Sequence, residues 1–520
     1  MTPRAAACAA RLPRACLLAL LLSTLLARCE HRSPQFRSLA ATAAALSEGS
    51  LIPGAVRPSG AFGVSKRLGA INGAPARDSE WDVRDFGAVG DGRAYDTAAL
   101  QEAVDVAAGL GGVVVFPAGY RFLTGTLFLR SGVSVRVERG ATILGSARRE
   151  DYPDSRDRWY VILAENVTGV TISGGGEING QARAFVADRH PPQFADKYAM
   201  VSWNQDPSVC ADPVQCRPRL LGLVNATRVT LADLFLNQPA YWCLHVYRSA
   251  DVAIRGLDIF GDPHIPNNDG IDIDGSKRVE VSDCTISTAD DGVCVKTSGK
   301  AAPTVDGVLV QRCAIRSKSC AVKFGSESTA DMANVVVRDV VVADSNRGLG
   351  LQIRDGASVA NVTFRNVSMV TRLFDPASWW GRAEPIYVTN RPRDWEGTPK
   401  VGFLRNVTFQ DISATSEAGI VIAGRPGDAS KIDGLTFANV SVRVERLSPW
   451  PGGQFDFRPG VEVVNHSIPL LYGEHASNLV FNHVSLEWGP VAQPYWGPGI
   501  QMFNRTVHNV RFVDVSLSEP

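Results

Sequence analysis

Three aspartates carry the strongest chemical signal in the sequence. Asp269 lies in "NNDGIDID", and Asp290 and Asp291 are adjacent in "TADDGVCVK". Asp269 and Asp291 are each followed by Gly and then by a β-branched alternation, a setting in which aspartate is usually depleted. Carboxylates held close together raise the pKa of at least one member, so one can give up a proton while another stays ionised. Cleavage of a glycosidic bond needs that division of labour. The bland alternative, solvated turn aspartates, suits Asp262, Asp272, Asp274 and Asp283 taken singly better than it suits the trio. "DGIDIDG" has neither the acid spacing nor the terminal Glu of an EF-hand calcium loop, so no metal and no cofactor is expected.

The trio can act only if the chain brings its two segments together, and a repeat supplies the means. A turn followed by a β-branched alternation recurs, as in "SADVAIRGLDI", "SKRVEVSDCTI" and "VANVTFRNVSM". The first Val or Leu of successive strands falls at 252, 279, 308, 335, 362, 407, 435, 479 and 510. Most steps are 27 to 31 residues, and two longer ones leave room for inserted loops. Such a period with strand units means a solenoid or propeller. With Trp-Asp blade signatures absent, the pattern predicts an all-β fold, a single-stranded right-handed parallel β-helix whose coils stack about 4.8 Å apart. A helix is expected over 96–108, with Asp96 as its N-cap and Leu100, Ala103, Val104 and Ala107 on its apolar side. It caps the N-terminal end of the solenoid and covers open strand edges. The "GAVGDG" loop before it reads as a turn rather than a phosphate cradle.

Five strands align on their apolar alternation: "WCLHVY", "DGIDID", "DGVCVK", "CAVKFG" and "LGLQIR". The alignment places Leu244, Ile271, Val293, Val322 and Leu351 in one inward column, and Val246, Ile273, Val295, Phe324 and Ile353 in a second. A period of two then turns His245, Asp272, Cys294, Lys323 and Gln352 outward, with Tyr247, Asp274, Lys296, Gly325 and Arg354 beside them. Trp242, Asp269, Asp291, Cys320 and Leu349 stand at the strand entries. The acids would thus decorate one outer face while β-branched residues fill the interior.

At these residues the chain resembles glycoside hydrolase family 28, the polygalacturonase group of pectin-degrading enzymes. "NNDGIDID" is similar to its Asn-Thr-Asp motif, "TADDGVCVK" to its Gly-Asp-Asp motif, and "VRDFGAVGDG…GGVVVFPAG" to its N-terminal region. The resemblance spans residues 80 to 520 and implies a right-handed parallel β-helix, in agreement with the periodicity. It also implies an inverting hydrolase in which Asp290 protonates the leaving oxygen while Asp269 and Asp291 activate the attacking water. Two departures stand out. Cys320 replaces the histidine of the family's Gly-His-Gly motif, and Gln352 and Arg354 replace the arginine and lysine of its Arg-Ile-Lys triplet, which bind uronate carboxylates in the family, so the resemblance counts both with the substrate contacts. Lys323 either supplies the missing charge or pairs structurally with Asp272. Tyr387, set outward like Gln352 on the next coil, resembles the family's substrate-contacting tyrosine, and Asn268, beside Asp269 in its motif, is counted with the substrate contacts. His245 is either a ligand contact or a hydrogen-bonded structural residue. Trp379 and Trp380 offer a sugar-stacking wall, with at least one of them read as core.

The remaining features bound the setting. Lys plus Arg and Asp plus Glu number 53 each, and zero formal charge argues against nucleic acid as a partner. Arg4, Arg11 and Arg14 precede an apolar run over 15–27, so 1–29 reads as a secretory signal peptide, too short for a membrane span. Residues 30–78 read as a low-complexity linker, and 79–520 as the β-helix. A secreted protein acting on a polysaccharide or oligosaccharide, without stable membrane association, is the expectation. Sequons at Asn166, Asn225, Asn361, Asn366, Asn406, Asn439, Asn465 and Asn504 suggest glycosylation, although Asn also suits left-handed turns. Cys210 and Cys216 close a short loop and form the expected disulfide; Cys284, Cys294, Cys313 and Cys320 are buried residues or inter-turn bridges. The competing functions are a non-catalytic glycan-binding β-helix and a polysaccharide lyase using calcium and a basic residue.

Overall fold

The computed structural model describes residues 79–186, 196–198, 216–393, 402–426, 428, 431–457 and 463–518. The expected leader, the linker and Cys210 lie outside these residues. Cys216 is buried and disulfide-bonded. Cys284, Cys294, Cys313 and Cys320 are buried free thiols, not bridges.

The β-branched repeat winds into a single-stranded right-handed parallel β-helix. One face is a twelve-stranded parallel sheet running from Leu127–Phe128 to Ile500–Met502. A 22-stranded sheet forms the rest of the wall, because its later strands bend through a corner. Met332–Ser345, for example, pairs with both Val305–Gln311 and Ala314–Ser317. At that corner Asp339, Asn366, Asp411 and Asn439 take φ between 53° and 56°. Asn and Asp tolerate this left-handed region because their short polar side chains bond locally. Asn366 Nδ2 donates to Asp339 Oδ1 at 2.7 Å and Asn439 Nδ2 to Asp411 Oδ1 at 2.6 Å, each across adjacent rungs. The sequon residues Asn166, Asn225, Asn361 and Asn406 also have positive φ, so a turn role accounts for their identity.

Stacking identical side chains in register builds the core. Phe364, Phe409, Phe437 and Phe481 stand one above another with successive ring centroids 5.0, 4.9 and 4.8 Å apart. That is close to the strand spacing itself, so each rung covers the ring of the one before. The helix (α1, Thr97–Leu110) buries Leu100, Ala103, Val104 and Ala107 against a core that includes Val114 and Phe116. Asp96 sits at the N-cap position, but its carboxylate does not cap α1. It accepts instead from Val89 N at 2.7 Å and Gly90 N at 3.1 Å, holding the "GAVGDG" turn against the helix start.

Candidate active site

Seven consecutive strands of the twelve-stranded sheet carry the site: β1 (Arg219–Val224), β2 (Leu244–Tyr247), β3 (Ile271–Asp274), β4 (Val293–Thr297), β5 (Cys320–Ser328), β6 (Arg347–Ile353) and β7 (Ile386–Asn390). Leu244, Ile271, Val293 and Val322 pair in register and are fully buried. Asp269 and Asp291 each precede their strand's first inward residue by two, so they occupy the same entry position on adjacent rungs. Gly270 N donates to Asp291 O at 2.9 Å, which fixes that alignment. The glycine after each aspartate is a packing requirement. A Cβ on Gly270 would lie 2.4 Å from Gly292 O, and one on Gly292 would lie 2.6 Å from Ala321 O.

Asp290, one residue earlier, joins the pair from the turn. One carboxylate oxygen from each of Asp269, Asp290 and Asp291 lies within 4.8 Å of the other two. Asn268 braces both turns: its Oδ1 accepts from Ala289 N at 2.8 Å and Asp290 N at 3.2 Å, while its Nδ2 donates to Asp262 O. Asn267 N donates to Asp290 Oδ2 at 3.2 Å. Asp291 is held hardest, accepting from Ser319 Oγ at Oδ1 and from Lys323 Nζ at Oδ2, both at 2.7 Å. Asp269 Oδ1 is buried and has no hydrogen-bond partner. Burial, then the neighbouring charges of Asp290, Asp272 and Asp291, push the Asp269 carboxyl well above the usual range. Burial raises Asp291 as well, with Lys323 pulling in the opposite direction. The charges of Asp269 and Asp291 act on each other across adjacent rungs, so these two do not titrate independently.

The three acids open into a cleft of about 720 Å³. Its wall next to β3 was misjudged from sequence. Asp272 and Asp274 are not solvated turn residues but fully buried ones. Lys296 Nζ lies 3.3 Å from Asp272 Oδ1, so Asp272 pairs with Lys296 rather than with Lys323. Burial pushes Asp272 up to about 7 despite that cation. His245 lines the cleft and is also hydrogen-bonded within the wall: Tyr160 Oη and His245 Nδ1 are 2.8 Å apart, and Asp274 Oδ2 lies 3.4 Å from Nε2. Burial lowers its pKa to about 4, so the ring is neutral.

Other expectations also need correction. Asn268 is fully buried and bonded to backbone, so it positions the acids rather than touching a ligand. The last aligned strand slips by two: Val322 pairs with Leu349, and Gln352 with Gly325. Arg347, not Leu349, therefore enters that rung. An alternation of period two cannot detect a shift of two, because every side chain keeps its face. Gln352 is 4% exposed and Arg354 2%, behind the cleft wall. Burial lowers the Arg354 pKa, opposed by Tyr387 and reinforced by the charges of Arg347, Arg393 and Arg391. Tyr387 pairs with Gly350 rather than Gln352 and has no exposure. Its hydroxyl donates to Asp456 O at 2.9 Å, and the Arg347 guanidinium lies 3.7 Å from the ring centroid. None of these three lines the cleft. Trp379 is buried against Ala289 and Phe374, Trp380 is 46% exposed, and both line the cleft. Residues that sequence reasoning did not single out also line it: Arg219, Tyr160, Lys296 and Ser319. For Arg219 the missed signal is its place two residues before the inward Leu221, the entry position that Asp269 and Asp291 hold on their own rungs.

Residues 113–448 match the family described as glycosyl hydrolases family 28. The chain belongs to that family. A probable polygalacturonase of Vitis vinifera is 26% identical over 396 residues, covering 70% of this chain and 75% of the relative. A polygalacturonase of Persea americana is 24% identical, covering 70% and 74%. Among solved structures, an exopolygalacturonase of Thermotoga maritima superposes with a TM-score of 0.61 at 20% identity, covering 78% of this chain and 91% of that one. A family 28 exopolygalacturonase of Yersinia enterocolitica gives 0.62 at 19%, covering 84% and 78%. At these identities the two structures speak to the β-helix alone. Family 28 membership makes the protein a glycoside hydrolase.

Proposed function

We propose that the protein is an exported hydrolase of pectin-like polysaccharides or their oligomers, acting on galacturonan or rhamnogalacturonan type chains with inversion at the anomeric carbon. The convergence of Asp269, Asp290 and Asp291 in one open cleft carries this reading. The names of the plant relatives support a uronate-containing substrate, as does a cleft that also presents Lys296, Lys323, Arg219 and Arg393.

Asp290 is less buried than its two neighbours, which supports its reading as the acid that protonates the leaving oxygen. Asp269 lines the cleft with no hydrogen bond to its Oδ1, and Asp291 is held at both oxygens. Hydrogen bonds at both oxygens hold Asp291 in one orientation, which suits a carboxylate that orients the attacking water. The oxygens approach more closely than the ~6.5–9.5 Å usual between acid and base in inverting enzymes, so stereochemistry is a sharp test.

The experiment is reducing-end release from polygalacturonate, rhamnogalacturonan and short oligomers, with the first-formed anomer followed by NMR. Wild type should release product of inverted configuration, and Asp290→Asn should lose on the order of 10²–10⁴ in rate. Retention would overturn the mechanism. Equal rates for mutant and wild type would overturn the site, binding without turnover would indicate a glycan-binding protein, and unsaturated product would indicate a lyase.

A further inference from the structure

The arm of the cleft on the N-terminal side of the acids holds a cation set apart from the others. Lys296 lies against Asp272 and Glu327, Lys323 against Asp291, and Arg393 against Asp355. Arg219 has no such partner: among the described residues no carboxylate oxygen lies within 4 Å of its guanidinium. Aromatic rings surround it instead, with centroids of Tyr160, Trp242 and Tyr241 at 5.2, 5.0 and 5.4 Å. Its Nε is buried without a hydrogen-bond partner. The acids on this part of the wall do not neutralise it. Glu165 is tied to Arg158 at 3.0 Å, and Asp157 stands beyond ion-pair distance.

Register locates this cation relative to the chemistry. Leu221, Leu244 and Ile271 pair in sequence, so Arg219, Trp242 and Asp269 hold the entry position on three successive rungs. Arg219 is therefore two rungs, about 10 Å, from Asp269. Lys323 and Arg393 lie on the C-terminal side of the trio.

A guanidinium presents N–H donors in a planar fork that matches a carboxylate at two points. Aromatic rings around it limit its contact with water and stabilise the charge. An anion bound there is met by directed donors in a partly desolvated groove. We propose that Arg219 is the centre of a uronate-binding subsite on the N-terminal arm of the cleft, receiving the carboxylate of a substrate sugar beyond the ring being cleaved. This rests on the galacturonan reading above and adds to it a specific residue and direction along the chain.

The test compares wild type, Arg219→Gln and Arg219→Lys on oligogalacturonates and on the same oligomers with their carboxyls reduced to alcohols. Binding to the Asp290→Asn protein, with and without Arg219→Gln, is measured by calorimetry. Arg219→Gln should lower kcat/KM on the charged oligomers about 10- to 100-fold, the range of a charge-assisted hydrogen bond, mostly through KM. It should have little effect on reduced oligomers, weaken calorimetric binding of the charged ones by a similar factor, and leave the melting temperature unchanged. Arg219→Lys should fall between the two. Full kcat/KM for Arg219→Gln on charged oligomers, or equal losses on charged and reduced ones, overturns the subsite while leaving the galacturonan reading intact. A wild type that acts only on neutral oligomers, with Asp290→Asn binding no oligogalacturonate, overturns both.

Discussion

Lys323 Nζ stands 2.7 Å from Asp291 Oδ2, joining neighbouring rungs β5 and β4, with both side chains largely shut off from solvent. Burial alone would favour the protonated acid, and the lysine opposes that. Lys323→Met should therefore raise the Asp291 pKa. If Asp291 must be ionised to orient the attacking water, the acidic limb of the kcat/KM profile moves to higher pH, by about one to three units. Lys323→Arg, which keeps the cation, should leave that limb close to wild type. A pH profile for the three proteins decides, and an unmoved limb in Lys323→Met would show that Asp291 ionisation is not limiting.

Asp269 should show the opposite relation between function and stability. Its folded pKa is raised above the unfolded value, so between those two values the native state binds the extra proton. Stability from this group is then greatest at low pH and falls as pH rises through the folded pKa. Asp269→Asn removes the charge that burial penalises. The variant should lose turnover yet melt higher than wild type at pH 7, by about 0.5–2 kcal/mol of stability, with the gain shrinking toward pH 4. Thermal melts across that range check the sign; a lower melting temperature at pH 7 would show that the Asp269 carboxylate is stabilised by its surroundings.

The sequence made the trio and the inward columns legible because both follow from repeats at fixed spacing. Leu244, Ile271, Val293 and Val322 pair as the alternation predicts. The failures have a common cause: local pattern specifies which face a residue occupies, not how deep the neighbouring rungs bury it. Gln352 kept its face but moved two residues along the strand. Asp272 and Asp274 point outward as expected, yet lie fully buried with Lys296 and His245 alongside. Tyr387 is covered through contacts with Asp456 and Arg347, neither of which is near it in sequence.

The adjacent tryptophans Trp379 and Trp380 should separate cleanly. Trp379 packs with Ala289 and Phe374, and its Nε1 donates to Asp196 Oδ2 at 3.2 Å. Trp379→Ala should cost about 3–5 kcal/mol of stability through the cavity it leaves. Trp380 is exposed at the cleft mouth, so Trp380→Ala should leave the melting temperature within about 1–2 °C, since surface changes stay near 0.5 kcal/mol or less. Any defect should appear in KM for long oligomers. Parallel melts and kinetics test the pair, and equal destabilisation by both substitutions would place Trp380 in the core.

Cys320 occupies the entry position beside Asp291, where the family resemblance places a histidine, and the question is whether the thiol does acid–base work. It is 3% exposed, its Sγ lies 3.2 Å from Val322 O, and burial pushes its pKa far above the ordinary thiol value. A thiol so held neither ionises at working pH nor matches the proton affinity of an imidazole. Glycine at 350 makes room for it, since a Cβ there would lie 2.8 Å from the sulfur. Cys320→Ser should therefore keep kcat within about threefold, because no general acid–base contribution of 10²–10⁴ is removed, and leave the pH profile in place. Native protein should resist thiol-modifying reagents until it is unfolded. Rapid labelling of Cys320 in the native state, or a hundredfold loss in Cys320→Ser, would give the sulfur a chemical role and move the centre of the reaction toward β5.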